Sequence, residues 1–328
     1  MKKNILNLIS ASALCFLTLA SCNKVDDIAP SIAAIAVSNP AFSVLEDAAV
    51  RGGVAGVLSN PNANDPQGNF TVFAPNNDAF ARLGLNSAAD LNALNKTFLT
   101  NTLLYHTSNG ATAGASLTVG SSLPSLLGPT KRFVKRGSDL YVNGSKILAL
   151  DVAAANGKIH VIDKVILASG ADIVQTALAL NKSQVFAGPE LTFLVEAVLY
   201  ADLAGALSAS AGSPSFTVFA PTDQAFKDLG KLLGVALNVP ADIRKLPKET
   251  VKTVLLNHVI SNGGKFTSEI AENTTVQSIG STPITYGAFN NGVLTVKGKN
   301  NTVVANMLIP DVQCTNGVVH VIDRVLLP

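Results

Sequence analysis

The chain has 328 residues, 48% hydrophobic and only 14% charged, with 24 basic against 22 acidic side chains. Setting aside Lys2 and Lys3 leaves 22 against 22, a formal net charge of zero. A nucleic-acid partner calls for a basic surplus, so that class of ligand is excluded.

Residues 1–21 read as a leader rather than as part of a fold. Lys2 and Lys3 give a positive start, and the mostly apolar run over residues 5–20 is too short to span a bilayer. Leu19-Ala20-Ser21-Cys22 resembles the lipobox of bacterial lipoprotein precursors, which implies cleavage before Cys22 and acylation of its thiol. The expected partner at this end is therefore a membrane, reached through an N-terminal lipid. Residues 22–31 read as a tether, and Lys24, Asp26 and Asp27 resemble the short export signals of some Bacteroidetes surface lipoproteins. With Cys15 in the leader and Cys22 lipidated, Cys314 has no partner for a disulfide and is expected to be a small buried apolar residue. No later apolar run reaches spanning length, so the remainder is read as soluble.

The rest of the chain repeats itself. FTVFAPNNDAF at 70–80 returns as FTVFAPTDQAF at 216–226, with eight of eleven residues identical. NGKIHVIDKVIL at 156–167 returns as NGVVHVIDRVLL at 316–327, with eight of twelve identical. LLYH at 103–106 is matched by LLNH at 255–258, and LYVNG at 140–144 by LTVKG at 294–298. The offset grows from 146 through 152 and 154 to 160, as short loop insertions in the second copy would make it. Two domains are therefore expected, over residues 32–168 and 169–328, joined by a linker of a few residues. So short a joint implies a semi-rigid rod with some contact between lobes.

Each copy opens with helical patterns: Phe42, Leu45 and Ala49 in the first, Leu191, Leu194, Val195, Val198 and Leu199 in the second. A short buried strand follows at 71–73 or 217–219, ended by Ala-Pro because proline cannot donate to a ladder. Asn76 and Thr222 stand where helix N-caps are needed. A further helix carries Leu99, Leu103 and Leu104 into Tyr105-His106, and its counterpart carries Val251, Val254 and Leu255 up to His258. Asn-Gly and Arg-Gly turns then separate β-rich segments, and a long β-branched run closes each copy. Helices first and antiparallel strands second define an α+β domain.

Three ordered motifs found twice carry a family resemblance. TVFAPxxxAF, the Tyr-His pair and NGxxHVIDxV together resemble the fasciclin domain. The resemblance implies a wedge of antiparallel strands with packed helices. It also implies a mostly extracellular, non-enzymatic role in adhesion or scaffolding through an unidentified protein or polysaccharide ligand. Bacterial members are commonly secreted or lipid-anchored, so the expected location is the cell envelope of a Gram-negative bacterium, at its outer membrane. Some members bind carotenoids, which makes a carrier of a small apolar ligand the alternative. The Tyr-His region of animal members is associated with integrin binding, a role not carried over here. The second copy departs from that motif with Asn257 in place of tyrosine.

Candidate sites divide in two. His160, Asp163, His258, His320 and Asp323 are repeated, and two histidines with one carboxylate could in principle hold a metal. Yet His160 and Asp163 lie three apart on a predicted strand and would face opposite sides. These residues are expected to brace helix against sheet by backbone hydrogen bonds, with no metal and no cofactor. The candidate binding residues are Tyr105, His106, Lys131, Arg132, Lys135 and Arg136. The basic run is absent from the second copy, which has Ile284-Thr285-Tyr286 there, so the fold does not require it. It could take an acidic polysaccharide or lipid headgroup, or form a solvated hairpin. No nucleophile elbow, phosphate loop, Cys-x-x-Cys or His-Glu-x-x-His is present, so no enzyme is expected.

Overall fold

The computed structural model describes residues 29–92, 94–182, 190–208, 215–261 and 263–328. The leader, Cys22 and most of the tether lie outside them. The first domain begins with α1 (Ile32–Ser38), α2 (Ser43–Arg51) and α3 (Ala55–Ser59), followed by β1 (Phe70–Pro75). Short helices α4 (Asn77–Ala81) and α5 (Ala88–Leu91) lead to α6 (Lys96–His106). Strands follow: β2 (Thr107–Asn109), β3 (Ser122–Pro124), β4 (Thr130–Arg136), β5 (Asp139–Val142), β6 (Ser145–Ala154), β7 (Gly157–Ile162) and β8 (Leu167–Ala168).

The second domain repeats the plan with α7 (Ile173–Lys182), α8 (Thr192–Tyr200), α9 (Ala204–Leu207), β9 (Phe216–Pro221), α10 (Asp223–Leu233) and α11 (Lys248–Leu256). Its strands are β10 (Val259–Ile260), β11 (Thr275–Gln277), β12 (Pro283–Tyr286), β13 (Thr295–Gly298), β14 (Ala305–Cys314) and β15 (Gly317–Ile322).

The caps follow the sequence. Asn76 Oδ1 accepts from Ala79 N at 2.9 Å and Thr222 Oγ1 from Ala225 N at 3.2 Å, each satisfying an amide that a helix start leaves orphaned. Asp172 Oδ1 does the same for Gln175 N at the start of α7.

The strand order is β2-β1-β7-β6-β5-β4-β3 in the first sheet and β10-β9-β15-β14-β13-β12-β11 in the second. The expectation of purely antiparallel sheets needs correction, because β1 pairs β7 in parallel and β9 pairs β15 in parallel. Both partners are buried apolar strands from opposite ends of a domain, and the intervening helices supply the crossover that parallel pairing requires. Gly157 and Gly317 open the closing strands because a Cβ there would strike the carbonyl of Phe70 or Phe216.

On one side of each sheet the helices bury Phe42, Leu45, Phe80 and Leu103, or Phe193, Leu194, Phe226 and Leu255. These two helix-side cores join into a single cluster through Val165, Leu167, Ile309 and Val312. Smaller cores lie beyond the sheets, around Phe73, Tyr105 and Phe133 in one domain and around Phe219, Tyr286 and Val296 in the other. β8, at the very end of the first domain, pairs in parallel with β14, so the end of one domain is a strand of the other's sheet. Cys314 is buried and unbridged, and burial pushes its thiol up to about 11.

Candidate functional site

The histidines are held by backbone. His106, at the end of α6, has Nδ1 2.7 Å from Thr102 O and Nε2 3.1 Å from Ile166 N. Nε2 must accept from that amide, so Nδ1 carries the proton and donates to the helix carbonyl. His258 repeats the geometry with Val254 O at 2.7 Å and Leu326 N at 2.8 Å. His160 and His320 take the opposite tautomer. β6 and β14 each bulge at an aspartate with positive φ, Asp151 at 59° and Asp311 at 67°. The bulge frees an amide from the ladder. His160 Nδ1 accepts it at 3.2 Å and His320 Nδ1 at 3.1 Å, while each Nε2 donates to a loop carbonyl, Thr112 O or Lys265 O.

Each imidazole thus has both nitrogens engaged in its neutral form. Burial holds all four below the ordinary histidine value, and His106 and His258 fall to about 4. Asp163 accepts from Lys146 N at 2.7 Å and Asp323 from Asn306 N at 2.8 Å, closing the turn after each final strand. Among the described residues no three His, Cys, Asp or Glu side chains gather into a metal-ion site.

The candidate binding residues lie elsewhere than the sequence reading put them. Tyr105 is fully buried, and its hydroxyl accepts from Asn143 Nδ2 and donates to Gln313 Oε1 of the second domain. Lys131 is also fully buried. Its ammonium donates to Tyr105 O at 3.0 Å and Thr107 O at 3.4 Å, at the negative end of the α6 dipole. Desolvation brings its pKa down to about 7.

Arg132 reaches across the domain boundary, 3.0 Å from Glu269 and 2.8 Å from Gly264 O, over the Phe266 ring. Arg136 lies 3.9 Å above the Phe289 ring, donates to Ile270 O at 2.6 Å and pairs with Glu272 at 3.3 Å. Only Lys135 of the four cations faces solvent. The run is therefore neither an open basic patch nor a solvated hairpin. Its two arginines are the first domain's half of an interdomain clamp. Local sequence carries no sign of this, because the acids lie more than a hundred residues away. A comparison of the copies would have shown it: Glu269 and Glu272 are as unmatched in copy one, at Ser116 and Val119, as the cations are in copy two.

The clamp continues on either side. Arg82 donates to Asn291 O at 2.8 Å and Lys164 to Gly292 O at 2.7 Å. Lys164 also pairs with Asp311 at 2.7 Å, in a contact nearly closed to water. Gly144 has φ +84°, and any Cβ there would collide with the Asp311 carboxylate. Asn257, which replaces the tyrosine in copy two, turns inward instead, donating to Leu326 O at 3.0 Å.

Each domain also has an apolar cleft between its first helices and its first strand. The cleft of the first domain holds about 140 Å³ among Ile32, Ala36, Leu45, Val72, Leu103 and His106. Its counterpart in the second holds about 50 Å³ among Ile173, Leu194, Val218, Leu255 and His258.

A mixed sheet with helices on one face, built twice around the same histidine clasps, defines the class. The fasciclin domain family matches residues 40–168 and 189–328, and the chain belongs to that family. It is 27% identical over 268 residues to transforming growth factor-beta-induced protein ig-h3 of Oryctolagus cuniculus, covering 80% of this chain and 35% of that protein. It is 37% identical over 142 residues to protein sll1483 of Synechocystis, covering 43% of this chain and 75% of that one. The chain thus spans about a third of the length of the animal relative. Among solved structures, a FAS1 domain pair from the insect cell adhesion molecule fasciclin I aligns at 16% identity and TM-score 0.39, covering 90% of this chain and 95% of that one.

Proposed function

We propose that the chain is a non-enzymatic, lipid-anchored adhesion or scaffolding protein of the bacterial cell envelope. The observation that carries this reading is the use made of its titratable groups. All four imidazoles are neutral and committed at both nitrogens to backbone, which leaves general acid–base chemistry little to recruit. Of the cations that could have formed a site, Arg132 and Arg136 are committed to joining the two domains and Lys131 is buried against its own. What remains is a stiff, two-lobed surface, a form suited to presenting a binding face away from a membrane. Family membership supports the same reading. A protein or glycan ligand would meet faces outside the clamp, with Lys135 the member of the basic run free to take part.

The test has two arms. Radiolabelled palmitate should label the wild-type chain and not Cys22→Ser. The soluble part should retain an envelope protein or polysaccharide in a pull-down from cell-envelope extract. Label on Cys22→Ser removes the anchor, and an empty pull-down removes the adhesin.

The repeated clefts favour a second reading, a carrier for a small apolar ligand. A dry apolar cavity of about 150 Å³ holds a benzene-sized molecule. The larger cleft, about 140 Å³, would therefore take the end of an acyl chain rather than an entire carotenoid. Organic extraction of the purified protein followed by mass spectrometry decides it: a stoichiometric lipid supports the carrier, and an empty extract rejects it.

A further inference from the structure

The interface within the chain has a counterpart on each outer face. Between the domains lies a cleft of about 210 Å³, lined by Arg82, Leu83 and Lys164 from the first and by Leu308, Pro310 and Asp311 from the second. The repeat offsets of 146 and 160 carry its first-domain wall to Asp228, Leu229 and Arg324. A cleft of about 390 Å³ is present there, lined by the second domain alone. The same offset carries Leu308, Pro310 and Asp311 back to Leu148, Leu150 and Asp151, which lie exposed on β6. Each domain pair therefore has one unfilled socket and one unused docking edge.

The two free faces differ from the filled interface in a concerted way. Where the filled socket has Arg82 and Arg132, the open one has Asp228 and Thr285. Where the docked edge has Glu269 and Glu272, the free edge has Ser116 and Val119. Exposed apolar side chains stand on both free faces. Val119 is 60% and Leu148 50% exposed on the edge, and Leu232 is 71% and Val303 52% exposed at the socket. Val303 lies in residues 299–304, the insertion that raises the repeat offset from 154 to 160. Asn301 fixes that loop against the socket wall, donating to Val325 O and accepting from Leu327 N. One charge relation keeps its sign: Lys164 and Asp311 of the filled interface become Arg324 and Asp151. Arg324 is exposed and makes no ion pair among the described residues, while Asp151 shares Lys158 at the surface.

We propose that a second copy of this chain docks the Leu148–Asp151 edge of its first domain into the Leu232–Val303–Arg324 socket of the second domain. The contact between molecules then repeats the contact that joins the two domains within one. Continuity with the existing interface and the Asp151–Arg324 complementarity select this occupant. The contact is heterologous, the edge of one copy against the socket of the next, so it extends into rows rather than closing as a two-fold dimer. The inference does not depend on the adhesion reading, since copies can associate whether or not either lobe holds a further ligand.

The test uses residues 23–328, which contain both sheets and every core residue named above, in sedimentation velocity across a concentration series. The wild type should show reversible growth from monomer to dimer and longer species. Leu148→Glu on the edge and Val303→Glu at the socket should each raise the dissociation constant at least about tenfold. Both positions are exposed, so the fold is retained, which circular dichroism checks. Val57→Glu, exposed on α3 and part of neither the edge nor the socket lining, should associate as the wild type does. An equimolar mixture of Leu148→Glu and Val303→Glu copies retains one intact edge and one intact socket, and should stop at heterodimers. A wild type that stays monomeric throughout, variants that associate unchanged, or a mixture that stays monomeric would each overturn the proposal. Association lost in Val57→Glu would overturn the assignment of the faces.

Discussion

Lys164 Nζ, from the first domain, lies 2.7 Å from Asp311 Oδ2, of the second, and little of either side chain reaches water. Thr267 N and Thr267 Oγ1 also donate to this carboxylate, at 2.6 and 2.7 Å. Lys164→Met would leave a buried acid without its cation, a loss of about 3–5 kcal/mol. Urea denaturation should show that loss, and calorimetry should resolve two transitions where the wild type gives one. Adding Asp311→Asn, which tolerates the positive φ, should recover part of the stability. A Lys164→Met midpoint equal to wild type would mean that the pair contributes nothing.

Lys131 occupies the position that Ile284 fills in the second domain, and both are fully buried. Its folded pKa of about 7 lies below the ordinary 10.5. Between these values the unfolded chain holds a proton that the folded chain has lost, so stability should rise as pH goes from 7 towards 10. Lys131→Ile should remove that slope and stabilise the protein at pH 7 by about 1–3 kcal/mol, as apolar replacement of buried charge often does. A Lys131→Ile variant less stable than wild type at pH 7 would show that the two carbonyl bonds outweigh the desolvation.

Acid should act through the helix-end histidines. His106 and His258 have folded values of about 4 against an ordinary 6.5. Above pH 6.5 neither state is protonated and their contribution is complete. As pH falls from 6.5 to 4 the unfolded chain gains protons first, and each histidine withdraws up to about 3 kcal/mol. Guanidinium titrations at pH 7, 5.5 and 4.5 should follow that slope. A stability that stays level across this window would mean that the folded imidazoles take up protons as readily as the unfolded ones.

Arg132 and Arg136 bind the second domain through Glu269, Glu272 and two aromatic rings. The double variant Arg132→Ala/Arg136→Ala should lower stability by about 1–3 kcal/mol, the sum of two partly exposed charge and ring contacts. Trypsin should then cut within residues 164–182 sooner than in the wild type. Lys135→Ala, exposed between them, should change neither quantity.

Much of this was legible in the residues. The repeats gave the number of domains and the order of elements, because a duplicated core must keep the same apolar positions. The histidines were readable as braces, since a strand's alternation separates His160 from Asp163. Two things were hidden. The parallel pairing of Phe70 with Gly157 joins segments almost ninety residues apart, and no local pattern marks it. The basic run read as a ligand patch or a solvated hairpin because its acids belong to the other copy. Charge read along one stretch of chain cannot reveal a partner that folding brings from elsewhere.

The parallel alignment of Leu167 and Ala168 with Val312 and Gln313 has a mechanical consequence. A pull applied at residue 29 and resisted by a partner on the second lobe would load this short joint in shear. Its ladder bonds would share the force instead of unzipping singly, and the arginine and lysine struts would be strained with them. The pair would then bear tension as one stiff link, with extension deferred until an entire lobe gives way.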